Sequence, residues 1–405
     1  MEIIKKINGL GLVKIGMALL FALVALPSNA KAIAILLFGA TVLIFLFQRK
    51  WHFDFPFFIK NAVLFIVIGL TYFYSADTEF AQKKLLTMSS LLVFPFIFSL
   101  FTREEAKSIF KHFKIYLWIY VIGVFLMNIV PFLWFYTTHY TFEGIIEHFA
   151  TIVRVDMGKF SIHPIYLSMH CSVAILFSFY ILRELKSKKL IVALLAIDIS
   201  LVLFLLLYAK KGPLIALIVM FSLFVAFQRK QKLVKPYLIA VTALIILTLA
   251  IPKTRDKFVE LLKIENINEG DITSTNIRYT IYNTAKKLIA KAPITGYGIG
   301  DYNNVLLEQY KEDGNSILVE GKYNAHDQYF SLLLIGGVFA LLALIITMGI
   351  NLVFAIRYDN QILILLLIFY GIVMFTENIL ERETGVIYFS IFLNFFGLFN
   401  RDMNN

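Results

Sequence analysis

About twelve runs of apolar residues, each near the length that crosses a bilayer as a helix, leave this chain few ways to fold. Where no water is available every backbone amide must be bonded within its own segment, so such runs become helices. They lie near Leu10–Leu26, Ala32–Phe47, Phe57–Tyr74, Leu85–Phe101, Ile115–Phe135, Pro164–Leu182, Leu190–Tyr208, Pro213–Phe227, Tyr237–Ile251, Gln328–Ile356, Ile362–Phe375 and Val386–Phe399. With 59% hydrophobic and 16% charged residues, a water-soluble protein is excluded. The expected fold is all-α: a polytopic integral membrane protein with nine spans in residues 1–251, a large external loop over 252–326, and three spans in 327–405.

The first run imitates a signal peptide, with Lys5 and Lys6 before it and Ala30-Lys31-Ala32 after it. A second apolar run follows at once, and Pro27-Ser28-Asn29 suits a short hairpin, so a retained helix is expected. The single Cys171 excludes a disulfide or a zinc site built on cysteines.

The net charge of +11 does not require nucleic acid. With both termini in the cytoplasm, Lys5, Lys6, Arg49, Lys50, Arg229, Lys230, Arg401 and others put about half of the 38 basic residues on the cytoplasmic face, the bias that membrane insertion produces. The external segment from Pro252 to Ala325 carries roughly ten basic and ten acidic residues and reads as a small folded element.

In that segment Ser274-Thr275-Asn276 can cap a helix running to about Lys291, with Ile277, Ile281, Ala285 and Leu288 on one face. Arg278 lies at the edge of this face without an acidic helical neighbour, so it reads either as a phosphate clamp or as a solvated arginine. Gly296-Tyr297-Gly298-Ile299-Gly300 lacks the flanks of a dinucleotide fingerprint and reads as a turn allowing close backbone approach. His326 precedes a run of about 29 residues, longer than a bilayer needs, which must tilt, break near Gly336-Gly337 or extend into solvent. An imidazole there can accept a proton, or can serve as a polar anchor.

Lys210 and Lys211 sit in a short external turn against the charge bias, as functional cations or as snorkelling lysines. Arg154, Lys159 and His163 occupy another external loop, with His170 deeper along the helix that follows. Asp198 falls within a span, where a proton relay and a hydrogen-bonded structural carboxyl both remain open. The last external loop, Glu377 to Glu383, can pair with these lysines or be solvated. No metal-ligand spacing and no P-loop is present.

In order, Lys211-Gly212-Pro213-Leu214, Arg278 in its amphipathic helix, Pro293 with Gly296 and Gly298, His326-Asp327-Gln328-Tyr329 leading to Gly336-Gly337, and Thr376-Glu377-Asn378 resemble the O-antigen ligase and polymerase superfamily. The resemblance implies a GT-C-like bacterial inner-membrane glycosyltransferase with one large periplasmic loop. It moves a glycan from undecaprenyl diphosphate to lipid A core in ligases, or to a second lipid-linked glycan in polymerases, the ligase being preferred. It further implies an inverting reaction without metal or other cofactor, Arg278, Lys211 and Lys210 on the diphosphate, and His326 as a catalytic residue with Arg278. Arg154, His163, Tyr329 and Glu377 would contact donor or acceptor. The family usually has arginine where this chain has Lys211, which keeps the charge and loses the guanidinium fork. Nucleic acid is no partner, and membrane lipids are. A transporter or flippase is the reading of another class, although paired Gly/Pro breaks in the two halves of the chain are missing.

Overall fold

A computed structural model describes residues 8–138, 140–228, 231–268 and 270–399. Lys5, Lys6, Arg229, Lys230 and Arg401, and with them both termini of the expected orientation, lie outside the described residues. Among the described residues all regular structure is helical. The helices are α1 (Gly9–Ala22), α2 (Ser28–Leu46), α3 (Phe55–Leu70), α4 (Thr78–Met88), α5 (Ser90–Ser99), α6 (Arg103–Phe110), α7 (Phe113–Thr138), α8 (Phe142–Val155), α9 (Pro164–Leu182) and α10 (Lys188–Tyr208). They continue with α11 (Lys211–Gln228), α12 (Gln231–Ala250), α13 (Pro252–Val259), α14 (Ser274–Lys291), α15 (Tyr302–Glu312), α16 (Ser316–Glu320), α17 (Gln328–Arg357), α18 (Gln361–Met374) and α19 (Glu383–Phe399).

The expected apolar runs are largely helical, but Leu85–Phe101 is divided at Ser89 between α4 and α5, and the runs differ in length. Among the described residues six helices, α2, α7, α9, α10, α17 and α3 with its 3-10 extension to Tyr74, are long and apolar enough to cross a membrane, Tyr237–Ala250 qualifies only together with Pro252–Leu262 across a 94° bend, and five shorter apolar helices have 10–17 residues. Only 28% of the apolar window of α2, and the same share of α10, is buried inside the protein. In water such faces would aggregate; in a bilayer they meet lipid. Short polar residues close the helix starts: Asp54 accepts from Phe57 N (2.8 Å), Asp77 from Phe80 N (2.9 Å) and Asp327 from Phe330 N (2.9 Å).

One compact unit is built from the chain up to Phe53, from Phe101–Ile218 and from Gln231–Arg255. Polar side chains tie its apolar helices where hydrocarbon offers no partners. Tyr120 Oη meets His170 Nδ1 at 2.6 Å, Tyr208 donates to Asn128 Oδ1 at 2.6 Å, and Ser178 donates to Asp198 Oδ2 at 2.6 Å. Cys171 is buried packing.

The second unit comprises Asp54–Leu100, a short piece after Val219, and the chain from Asp256 onward. Asn351 of α17 donates to Asn61 of α3 at 2.7 Å, and Ser390 of α19 to the Ser90 carbonyl at 2.7 Å. The overlong run resolves into a broken helix. Gly336 (φ −128°, ψ 19°) and Gly337 (φ 59°, ψ −148°) interrupt α17, leaving a piece of about 12 Å before the break and one of about 30 Å after it.

The glycine string fills this break. Tyr297 N–H donates to the Leu334 carbonyl (2.7 Å), Gly298 N–H to the Ile335 carbonyl (2.9 Å), and Val338 N–H to the Ile294 carbonyl (3.1 Å). A Cβ on Gly296 would lie 2.6 Å from Gly337 N, and one on Gly337 would fall on the Ile294 carbonyl oxygen. Asp301 anchors the other end by accepting from Ala76 N (2.7 Å) and Asp77 N (2.9 Å). The segment is therefore a docking turn, and the backbone groups a broken helix would leave unpaired are satisfied by it.

Candidate active site

Helix α14 carries the first side chain of the site. It spans Ser274–Lys291 as the apolar spacing predicts, but its cap is Thr273, whose hydroxyl accepts from Asn276 N at 3.1 Å. The expected capping residues have other work: Ser274 and Thr275 each donate to Glu260 Oε2 at 3.0 Å, and Asn276 Oδ1 accepts from Glu265 N at 3.0 Å. They bind the preceding loop to the helix. The buried face is also more polar than expected, with Thr280 and Thr284 beside Ile281, Ala285 and Leu288, while Ile277 is only half-buried.

Arg278 projects from the first turns of α14, and the carboxylate that faces it comes from far along the chain. Its Nη2 is 3.9 Å from Glu377 Oε2, and the same oxygen is 3.4 Å from His326 Nδ1. A cation and an imidazole thus flank one carboxylate. Glu377 has only 8% of its side chain exposed, whereas Arg278 and His326 keep 26% and 23%, so the carboxylate lies beneath two groups that solvent or substrate can reach. His326 Nδ1 is buried and makes no hydrogen bond among the described residues. Its backbone is in the left-handed region at φ 46°, a conformation that costs a non-glycine residue about 1 kcal/mol or more and must be held by its surroundings.

Tyr282 supplies that hold. One helical turn beyond Arg278, its hydroxyl reaches both the His326 carbonyl (3.1 Å) and the Phe375 carbonyl (2.8 Å), joining the segments that carry His326 and Glu377. Burial pushes its phenol up to about 12, with Asp327 and Glu377 adding to the rise and Arg278 opposing it, so it remains a donor at neutral pH. Asp327 caps α17 next to His326, and burial raises its carboxyl to about 6 against the pull of the Phe330 and Tyr329 N–H groups. Tyr329 is engaged structurally: its hydroxyl donates to the Gly371 carbonyl at 2.7 Å and its ring packs on Phe375.

The second unit thus brings Arg278, His326, Glu377 and Tyr329 into one neighbourhood. The other expected residues are carried by the first unit. Lys210 and Lys211 follow Ala209, which ends α10 in the left-handed conformation (φ 51°), and Lys211 opens α11. His163 caps α9, its Nδ1 accepting from Ile165 N at 3.4 Å, and Arg154 is exposed in the last turn of α8. Among the described residues no three His, Cys, Asp or Glu side chains converge as a metal cluster would.

A fixed guanidinium beside a half-exposed imidazole can stabilise a phosphate-bearing leaving group and accept a proton from an attacking hydroxyl. Residues 191–345 match the O-antigen ligase family. The match supports the O-antigen ligase and polymerase superfamily and with it a membrane glycosyltransferase of ligase or polymerase type. The matching segment includes Lys210, Lys211, Arg278 and His326, while Glu377 lies beyond its end. No curated protein matches the chain.

The sequence offered no sign of Tyr282, because the carbonyls it binds lie 44 and 93 residues away. The charged loop after α18 is also divided in a way its composition hides. Glu377 meets Arg278 and His326, Glu381 is buried against Lys84 at 3.1 Å, and Arg382 and Glu383 are exposed.

Proposed function

We propose that this chain is a glycosyltransferase of the bacterial inner membrane that moves a glycan from undecaprenyl diphosphate to an acceptor hydroxyl on the periplasmic face, with lipid A core as the acceptor. The observation that carries the reading is the Arg278–Glu377–His326 cluster, two of whose members fall in the segment matching the O-antigen ligase family. The charge bias of the sequence supports the orientation, with both termini in the cytoplasm and residues 252–326 outside.

In the proposed reaction the acceptor oxygen attacks the anomeric carbon, and the bond from that carbon to the diphosphate breaks with inversion. The electron pair leaves on the diphosphate and the acceptor proton passes to His326. Glu377 stabilises the resulting imidazolium, and Arg278 stabilises charge growing on the leaving group. The diphosphate linkage supplies the driving force, so no nucleotide sugar is required, and fixed cations beside the leaving group take the place of a metal. The diphosphate role of Lys210 and Lys211, and the donor or acceptor roles of Arg154 and His163, are proposed from the resemblance alone.

The break in α17 does not favour a transporter. Discontinuous helices in transporters offer free carbonyls to ions, whereas here Leu334 and Ile335 give theirs to the docking turn.

The test is a gel profile of surface glycolipid together with the lipid-linked pool in a strain lacking the protein. Full-length glycan accumulating on undecaprenyl diphosphate, with none on lipid A core, supports the ligase; core carrying a single repeat unit identifies a polymerase, and an unchanged profile overturns both. His326→Ala is expected to abolish transfer while the protein still folds, and an active variant removes His326 from the mechanism.

A further inference from the structure

Glu381 is a fully buried carboxylate a few residues after Glu377, and donors from four parts of the second unit converge on it. Lys84 of α4 reaches its Oε2 at 3.1 Å, and the Tyr302 hydroxyl of α15 meets the same oxygen. The Ser331 hydroxyl of α17 and Asn378 Nδ2 (2.7 Å) meet Oε1. Burial alone would raise this carboxyl, but Lys84 and the three hydrogen-bond donors more than offset it and hold Glu381 below its ordinary range. Removing one such donor strands charge, which makes the arrangement specific as well as tight.

Two of these donors belong to the walls of the candidate site. Asn378 adjoins Glu377, and Ser331 lies one turn after Asp327, to whose carbonyl its own N–H donates at 2.9 Å. Gln328 adds a parallel tie, its Oε1 accepting from Leu380 N at 2.8 Å. Glu381 is thus one of the ties between the Glu377 turn and the His326 end of α17, beside Gln328 and the Tyr282 hydroxyl. Resting on the transferase reading above, we propose that Glu381 is a positioning residue for the Glu377–His326 pair.

The test compares Glu381→Gln with the double variant Lys84→Met, Glu381→Gln in full-length protein reconstituted with undecaprenyl-diphosphate-linked O-glycan and core lipid A. Removing both charges avoids the half-buried lone cation of the single variant and preserves the fold, but one amide oxygen cannot accept from all three remaining donors, Tyr302, Ser331 and Asn378. The double variant is expected to melt like wild type, exchange amide hydrogens faster over residues 376–382, and lose about tenfold or more in kcat with KM changed less than about twofold. Wild-type kcat in the double variant, or kcat recovering together with stability, overturns the proposal. So does unchanged exchange at 376–382. His326→Ala run beside it separates the two ideas: full activity there overturns the proposed chemistry, and the exchange readout alone then decides Glu381.

Discussion

Replacing Gly337 by alanine tests how the second unit is held together. At φ 59° and ψ −148° the position lies in a region open essentially to glycine alone, so a side chain costs about 1–3 kcal/mol in backbone strain. The added Cβ would also coincide with the Ile294 carbonyl oxygen, so the docking turn must move. Moving it breaks three backbone hydrogen bonds, those of Tyr297, Gly298 and Val338, each worth about 1 kcal/mol net. The sum is about 4–6 kcal/mol if the turn leaves the break, and about half that if it only shifts. Melting of the purified protein in detergent should fall by on the order of 10 °C, with new protease cleavage within residues 294–301. Gly349→Ala in the same helix is the control. A Cβ there meets nothing within 4 Å, so the change is expected to be neutral or to stabilise by about 0.5–1 kcal/mol. If Gly337→Ala melts no lower than Gly349→Ala, the docking turn does not hold the broken helix.

Substitutions at two other positions address the site directly. Arg278→Lys keeps the charge and loses the fork, and should lower transfer about tenfold with Arg278→Gln lower still; equal activity in the lysine variant would exclude bidentate phosphate contact. Asp327, with its folded-state carboxyl raised to about 6, binds more protons folded than unfolded between about pH 4 and 6, so it removes stability as pH rises through that window. Asp327→Asn, which can still cap α17, should therefore stabilise by about 1–3 kcal/mol above pH 6 and have little effect below pH 4, and urea unfolding followed at both pH values checks the sign.

Much of the helical scaffold was legible because membrane helices advertise themselves locally. Apolar spacing located α14, and the overlong run before Arg357 had to tilt, break or extend into solvent, of which the paired glycines supply the break. The capping residue was displaced by one because Thr273, Ser274 and Thr275 all offer a hydroxyl, and only tertiary contacts with Glu260 decide which of them faces the helix start. Arg278 and His326 stood out singly by their positions. Glu377 entered only through the resemblance, as a donor or acceptor contact, and its pairing with Arg278 and His326 was not legible, since it belongs to a loop of similar acids whose fates depend on contacts from distant helices. Glu381 and Lys84 are 297 residues apart, and no periodicity links them.

The break in α17 also separates two tasks a continuous helix would combine. The segment after Gly337 is by itself about as long as the hydrocarbon layer is thick, so it can tilt to match a thinner bilayer. The short segment before it takes its register from the docking turn and from Glu381. The distance from His326 to Glu377 is thus held by contacts made before the glycines, Tyr282 on the His326 and Phe375 carbonyls and Gln328 on Leu380 N, and not by the long segment that follows them.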